Sequence, residues 1–281
     1  GTGGLNGEQP PTLLLNSSEL KNSGWEIAAE YSKNWAGKTL NSNVTFSTLS
    51  SEWLTLPFDG INTNSLESRN DRSLLYKEGE PYGAIIAYPS AIVNGQNIFL
   101  DYNDDGVLDE EDRTTVGQAL PQIWMGWRNE IGFGKTRVSL LLEGVFGHYV
   151  VNSTNFLRGV NVIENQNINV LEERLVSHDA SELLSSYFSQ SANYLRLRYL
   201  AVDHEISLAG RTVQLYVVAN NLLTVSGFNG NDPSARLSDQ LDLPFLYFNR
   251  QGVQRTTEWL PSRSIMLGIK TVSYTHLRAH E

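Results

Sequence analysis

The sequence predicts an all-β chain built from antiparallel strands, and three observations support that prediction. Apolar and polar residues alternate with a period of two in segment after segment, as in strands with one apolar and one polar face. No apolar run approaches the roughly 18–20 residues of a membrane-spanning helix. Short and long connections alternate between the strands, an arrangement typical of a transmembrane β-barrel with long extracellular loops.

The clearest alternating segments have lengths that suit strands crossing a bilayer. A tilted spanning strand needs about 9–11 residues, and the three longest segments are each about that long. In a barrel, the apolar set of side chains would face lipid and the polar set would face a wet lumen. The segments are Trp25–Asn34, Arg137–Phe146, Tyr194–Asp203, Val213–Asn220 and Ile265–Ile269.

The connections separate the barrel from its main alternative. Connections of 30 residues or more are uncommon in ordinary globular domains but are expected on the outer side of a barrel. A soluble, secreted β-sandwich would show the same alternation, with its apolar set facing a core, so alternation alone leaves both architectures open. The connection lengths favour the barrel. Tight turns are predicted at Asn34–Lys38, Phe133–Lys135 and Ser207–Arg211, and long polar connections at Ser51–Pro121, Val151–Ala192 and Thr224–Ser262.

The composition excludes several other classes of protein. The chain carries 21 Lys+Arg against 31 Asp+Glu, a net charge of −10 without a basic cluster, which argues against nucleic-acid binding. It has no cysteine, so disulfide scaffolds and cysteine-based metal sites are excluded. Because no Ser-His-Asp order, phosphate loop or pair of glycosidase carboxylates stands out, no catalytic residue is assigned and no enzyme is expected.

One acidic loop has the spacing of a calcium-binding loop. Side chains with oxygen atoms occupy positions 1, 3, 5, 9 and 12, Gly106 at position 6 permits a sharp turn, and position 7 offers its carbonyl. Position 12 is Asp rather than the bidentate Glu of an EF-hand. We therefore expect either a structural calcium ion or an acidic turn closed by Asx hydrogen bonds without an ion. The calcium ligands would be Asp101, Asn103, Asp105, Val107, Asp109 and Asp112.

Six short motifs follow one another in order along the chain, and together they resemble a known family. They are N-S-S-E-L-K-N-S-G-W-E at 16–26, G-E-P-Y-G at 79–83 followed by A-Y at 87–88, D-Y-N-D-D-G at 101–106 continuing to Pro121, N-Y-L-R-L-R at 193–198, N-N-L-L-T at 220–224 with G-N-D-P at 230–233, and P-S-R at 261–263 continuing to Gly268. In this order they resemble the C-terminal part of SusC-like (RagA-like) TonB-dependent outer-membrane transporters. Ser18 departs from the pattern, which usually has Gly there.

The resemblance implies a fold and a function. Family members form large, plugged barrels of the 22-stranded type, and this chain would supply about seven to nine C-terminal strands without the plug. The count depends on whether Tyr82–Tyr88 and Asn97–Asp101 span the membrane. The implied function is import of oligosaccharides or peptides across the outer membrane of a Gram-negative, Bacteroidota-like bacterium, with a SusD-like surface lipoprotein and TonB as partners. Alternatives are a siderophore or cobalamin receptor and a soluble calcium-loop binding module.

The ends of the chain are expected to lie outside the barrel. Residues 1–23 are expected to form a loop leading into it, and residues 24–271 the C-terminal part of the barrel, with the acidic loop at 101–112. Residues 272–281 match the translation of a common sequencing adapter, so we expect them not to be native.

Two further sets of residues have expected roles in a barrel. Arg196 and Arg198 alternate with Leu195 and Leu197, so they would point into the lumen and are candidates for contact with substrate. Aromatic residues near strand ends are expected to form the interfacial girdle. This second set is Trp25, Trp35, Trp124, Trp127 and Phe133.

Overall fold

The computed structural model describes residues 17–57, 61–64, 72–159, 183–209, 211–234, 253–254 and 261–271. The strands are β1 (Glu19–Ser23), β2 (Glu26–Trp35), β3 (Lys38–Thr48), β4 (Ser50–Thr55), β5 (Ile61–Asn64), β6 (Arg72–Tyr76), β7 (Ala84–Ala87), β8 (Ser90–Val93), β9 (Gln96–Phe99), β10 (Thr114–Gln118), β11 (Ile123–Phe133), β12 (Thr136–Phe146), β13 (Tyr149–Asn152), β14 (Ser189–Ser191), β15 (Tyr194–Leu208), β16 (Arg211–Ser226), β17 (Val253–Gln254) and β18 (Ser264–Thr271). Helix α1 spans Ser153–Gly159, and short 3-10 turns span Glu110–Asp112 and Ser186–Phe188. None of the described helices is long and apolar enough to cross a membrane.

Seven of the strands form one sheet, called the wall below. Their spatial order is β18-β16-β15-β12-β11-β3-β2, and every neighbouring pair is antiparallel. All of the alternating segments predicted from the sequence lie in this sheet. The prediction of an all-β, antiparallel architecture is confirmed.

Tight turns close the wall at one end. Strands β2 and β3, β11 and β12, and β15 and β16 are hairpin neighbours at the three predicted turn positions. Ala36, Gly37 and Gly134 have φ values of 44°, 73° and 60°, the left-handed conformation that tight hairpin turns require. The three long connections therefore all leave the wall at the opposite end, as the alternation of connection lengths predicts.

The wall has one apolar and one polar face. Side chains of directly paired residues lie on the same face, so the pairing of Val202 with Val217, and of Val217 with Leu267, places three apolar side chains side by side. All three are exposed, whereas a soluble sandwich would bury them under a second sheet. Further exposed side chains on this face are Ile27, Tyr31, Val44, Met125, Trp127, Ile131, Leu195, Leu215, Leu223, Val225, Ile265 and Ile269. This is the surface expected of a wall that faces lipid.

Four of the five residues predicted to form the aromatic girdle have exposed side chains, but Trp127 lies in the middle of β11 and not at a strand end. The girdle itself stays a prediction. Trp25, Trp35, Trp127 and Phe133 are all exposed. Trp124 lies on the polar face, because it pairs with Ser47 and Val145 and is the immediate neighbour of outward-facing Met125. The girdle prediction for Trp124 is wrong. It was based on the position of the residue near a strand end and not on the face of the strand from which its side chain projects.

The long connections pack together instead of forming simple polar loops. Strands β10-β7-β6-β5 form one small sheet and β14-β13-β17 another. Together with α1, the 186–188 turn and hairpin β8–β9 we call these elements the cap. Their buried apolar side chains make a core of Leu74, Ile85, Ala87, Ala119, Val151, Phe156, Leu184 and Phe188. Among the described residues, the main cluster of buried apolar side chains therefore lies in the cap, whereas the apolar face of the wall is exposed.

The structure also decides the strand count that the sequence left open. Segment Tyr82–Tyr88 contains β7, which belongs to the cap, and Asn97–Asp101 begins within β9, which pairs only with β8 among the described strands. Neither segment is part of the wall. The wall thus has seven strands in the described chain, the lower end of the predicted range.

Candidate functional site

The first candidate residue, Arg196, is buried on the polar face of the wall, with 2% of its surface exposed. Its Nη2 donates to both carboxylate oxygens of Asp232, at 2.9 and 3.0 Å. Its Nη1 donates to Ser234 Oγ at 3.2 Å and its Nε donates to Thr224 Oγ1 at 3.0 Å. The guanidinium carbon lies 4.8 Å from the centre of the Tyr194 ring. These contacts make Arg196 an anchor for the segment that follows β16, rather than a side chain open to substrate.

The anchored segment comprises residues 227–234, called the anchor loop below. His148 Nε2 lies 3.1 Å from the carbonyl oxygen of Pro233 in this loop. A carbonyl oxygen only accepts, so Nε2 carries the hydrogen. Burial lowers the pKa of His148, and the hydrogen bond to Pro233 partly opposes that shift. The loop is therefore held to the protein at two buried points, one on β15 and one between β12 and β13.

The second candidate residue, Arg198, has different surroundings. Its side chain is 44% exposed, and Nη1 lies 3.4 Å from Glu143 Oε1, which also accepts from the Tyr194 hydroxyl at 2.9 Å. Arg198 sits at a β-bulge: Leu197 pairs with Leu142 and Tyr199 with Leu141, which leaves Arg198 as the extra residue. The bulge explains why β15 changes its alternation at this point.

Arg198 opens onto a cleft on the polar face, called the inner cleft below. The cleft has a volume of about 510 Å³, which is within the range of ligand pockets. Its charged lining residues are Arg128, Glu130, Arg137, Arg198 and Asp203. Arg137 Nε lies 3.5 Å from Glu130 Oε1, and Asp203 Oδ1 accepts from Gln214 at 2.8 Å. The cleft therefore presents both signs of charge on an exposed surface.

Sequence reasoning missed most of these residues. Asp232 and Ser234 meet Arg196 only because the chain returns to the wall after β16, whereas Thr224 is the cross-strand partner of Arg196 on β16 itself. The charged cleft residues could have been predicted to face inward, because each occupies an inward position of an alternating segment or of the strand beside it. Their convergence depends on strand order and register, which the alternation does not specify.

The acidic loop is closed by Asx-type hydrogen bonds. Asp101 accepts from the amides of Gly106 at 2.7 Å and Asp105 at 3.3 Å, and Asp105 accepts from Val107 at 2.8 Å. Asp104 and Gly106 have φ values of 60° and 85°, so the sharp turn falls where the spacing predicts it. Among the described residues, no three acidic or histidine side chains are grouped closely enough to hold a metal ion.

Position 12 of the loop is occupied by a buried carboxylate. Asp112 has an exposed fraction of 0%; its Oδ1 accepts from Tyr102 at 2.7 Å and its Oδ2 from Asp109 at 2.8 Å. Asp109 in turn caps the 3-10 turn by accepting from the amide of Glu111. The geometry fits the Asx-turn alternative as it stands, and calcium binding stays a prediction. To hold an ion, Asp101, Asp105 and Asp109 would have to turn toward a common centre.

We expect the acidic loop to loosen in acid. The amide of Asp109, with those of Tyr102 and Asn103, lowers the pKa of Asp112 despite the opposing effect of burial. A carboxyl group with a lowered folded pKa contributes stability that is complete above its unfolded pKa, about 3.9, and lost as the pH falls through the folded pKa. Pepsin cleavage within 101–112 should therefore accelerate below about pH 4. Asp112→Asn should cleave faster than wild type at about pH 4 and change less on further acidification; identical profiles for the two proteins would contradict the assignment.

Calcium binding is tested by isothermal titration of the full-length protein in detergent. If the ion binds, Asp105→Ala should abolish the heat, because it removes the ligand at position 5. Glu111→Ala is the matched control, since this exposed residue lies in the same loop but outside the ligand positions. Equal heats for wild type and Asp105→Ala would remove the calcium site.

Comparisons with known proteins agree with this geometry. No protein-family model matches the chain. The chain is 24% identical over 262 positions to "TonB-dependent receptor P3" of Formosa agariphila, covering 79% of this chain and 26% of that receptor. It therefore spans about a quarter of the length of that relative.

Solved structures show the same fold. The RagAB peptide transporter matches 91% of this chain and 30% of its own with a TM-score of 0.65 at 16% identity. The RagAB peptide importer in its "open-open" state matches 90% and 29% with a TM-score of 0.66 at 14% identity. Both kinds of relative are named as receptors or transporters. The resemblance to SusC-like (RagA-like) TonB-dependent receptors and the barrel fold class are confirmed.

Proposed function

We propose that this chain, a segment of the barrel of a RagA-like TonB-dependent receptor, takes part in importing peptides across the outer membrane. A SusD-like surface lipoprotein would deliver the substrate, and TonB would power its passage. The observation that carries the proposal is the two-faced wall, with exposed apolar side chains outside and a charged cleft inside. A soluble binding module of the calcium-loop sandwich type would instead bury such an apolar face beneath a second sheet.

The charges of the inner cleft favour peptides over neutral oligosaccharides. Three guanidinium groups and two carboxylates line it. Peptides carry both signs of charge at their ends and side chains, so they can form ion pairs with the guanidinium and carboxylate groups of the cleft, whereas a neutral glycan can offer these groups only hydroxyl hydrogen bonds. Charge-assisted hydrogen bonds to carboxylates are the strong ones, and arginine forms them in a fixed geometry. The RagAB relatives are peptide transporters, which supports the same choice.

Oligosaccharides remain the second candidate substrate, and a siderophore or cobalamin receptor is the third reading. The exposed aromatic residues of the cap and wall are compatible with sugar stacking, but most of those on the wall belong to its lipid-facing side. The described part of the chain offers no observation that favours a siderophore or cobalamin. Peptide import is therefore the function that the charges support best.

The test is an uptake assay on the full-length transporter. A strain lacking the gene, complemented with wild type, should regain uptake of labelled oligopeptides and growth on them as a nitrogen source. The double variant Arg137→Ala, Arg198→Ala should reduce peptide uptake about tenfold, because it removes two charge-assisted contacts. Arg211→Ala is the matched control, because Arg211 is exposed at a tight turn outside the cleft. Uptake of oligosaccharides but not peptides would contradict the peptide assignment.

A further inference from the structure

Arg128 differs from the other two arginines of the inner cleft in its electrostatic surroundings. Arg137 Nε lies 3.5 Å from Glu130 Oε1, and Arg198 Nη1 lies 3.4 Å from Glu143 Oε1. Within the part of the chain that the structure describes, the side chain of Arg128 makes neither an ion pair nor a hydrogen bond. Among the described residues that line the cleft, Arg128 is therefore the cation whose charge no carboxylate offsets.

The register of the wall explains why no carboxylate reaches Arg128. Its direct neighbours on the adjacent strands are Asn43 on β3 and Leu141 on β12. Glu130, two residues further along β11, is already in an ion pair. Glu30 lies beyond Asn43 on β2, about 10 Å from Arg128, because neighbouring strands are about 4.8 Å apart. At that distance in a wet lumen, two charges attract each other only weakly.

The charges of the inner cleft are also separated along the strand direction. The row of paired residues that contains Arg128 continues through Leu141 and Tyr199. Arg137 and Asp203 pair with each other two rows nearer to the tight turns, which places them about 13 Å away along the strands. The part of the cleft nearer to the long connections therefore has an unbalanced positive charge beside a partly apolar surface.

We propose that Arg128 binds a carboxylate of the imported peptide and so determines a preference for peptides that carry a free carboxylate. This inference rests on the proposed function, since it names the chemical group that the same cleft recognises. A guanidinium group binds a carboxylate through two parallel hydrogen bonds, and Arg128 can do so without first breaking an internal ion pair. Arg137 and Arg198 keep free donors for the carbonyl groups of the peptide. Leu141 and Tyr199 provide an apolar surface beside the bound group.

The test measures the affinity of the purified full-length transporter in detergent for three versions of one labelled peptide that is otherwise uncharged. The first has a free C-terminal carboxylate, the second a C-terminal amide, and the third a C-terminal amide with one internal Glu. Wild type should bind the first or the third with a Kd about fivefold lower than the second, as a solvent-exposed ion pair allows. Added salt should reduce this difference. The tighter of the two carboxylate peptides identifies the source of the carboxylate.

Four variants relate this preference to individual side chains. Arg128→Gln should bind all three peptides equally, whereas Arg128→Lys should keep part of the preference because it keeps the charge. Glu130→Gln removes the ion-pair partner of Arg137, so it should strengthen the preference, a gain that a misfolded barrel could not produce. Arg211→Gln is the matched control, since Arg211 is exposed at a tight turn outside the cleft, and it should bind as wild type does.

The outcomes separate this inference from the proposed function. Equal Kd values for the three peptides in wild type would overturn the role of Arg128 while leaving peptide import intact. A preference that persists unchanged in Arg128→Gln would assign the carboxylate to another residue and overturn the inference as well. A wild type that binds none of the peptides would overturn the proposed function and this inference together. Heat-modifiable gel mobility of each variant checks that its barrel has folded.

Discussion

Replacing Arg196 by alanine is expected to release the anchor loop from the wall. The substitution leaves the Asp232 carboxylate, which is 15% exposed, without its 2.9 Å ion-pair partner. Removing one member of a buried ion pair typically costs about 3–5 kcal/mol, because the remaining charge stays poorly solvated. The contact with the Tyr194 ring and the bonds to Ser234 and Thr224 are lost as well. Faster hydrogen exchange of the Ser234 amide, which donates to Asp232 Oδ1, is the direct measurement.

Two variants serve as controls for this prediction. Arg196→Lys keeps the charge but loses the planar group that reaches four acceptor atoms on three residues, so it should restore protection only in part. Arg198→Ala removes an arginine two residues away whose side chain is 44% exposed, and exposed ion pairs contribute about 1 kcal/mol or less. Equal exchange rates in Arg196→Ala and Arg198→Ala would show that the buried pair does not hold the loop.

Arginine at Val217 is expected to disrupt the barrel, whereas arginine at the next residue is not. Val217 lies on the apolar face beside Val202 and Leu267, and Val218 points to the opposite face, paired with Ala201 and Met266. Arginine on the lipid-facing side near the middle of a barrel strand costs about 2–4 kcal/mol, while a lumen-facing position remains in a polar environment. The two substitutions change the same residue type at adjacent positions, so strand propensity and location along the chain are matched.

The measurement is the folded fraction of full-length protein in lipid vesicles, read by heat-modifiable gel mobility across a urea series. Val217→Arg should shift the unfolding midpoint to lower urea, and Val218→Arg should stay close to wild type. The reverse order would assign the apolar face to the inside and refute the orientation of the wall.

Local patterns were sufficient to predict the wall. Period-two alternation and turn residues at Asn34–Lys38 and Phe133–Lys135 depend on neighbours in the chain, so the strands and their hairpins could be found without knowing the fold. The faces were right for Leu195 and Leu197 for the same reason. Trp124 was predicted wrongly because the face of the wall on which it lies is set by strand pairing and not by its position near a strand end.

The cap and the role of Arg196 could not be predicted because they depend on distant parts of the chain. Leu74, Val151 and Leu184 meet in one core although three separate stretches of sequence supply them. Arg196 and Asp232 are 36 positions apart, and the length of the intervening hairpin gives no sign that the loop folds back. The bulge at Arg198 adds a residue that a strict alternation does not contain.

Because the buried core lies in the cap and not in the wall, the stability of this chain depends on two different environments, lipid for the wall and water for the cap. Successive stretches of sequence alternate between these environments. The exposed apolar side chains of the wall strands are stabilised by contact with hydrocarbon, whereas the apolar side chains of the cap are stabilised by burial away from water. An apolar substitution at an exposed position is therefore tolerated on a wall strand and harmful on a cap segment. The choice of detergent should therefore determine the stability of the wall, whereas urea and heat should unfold the cap in a separate transition.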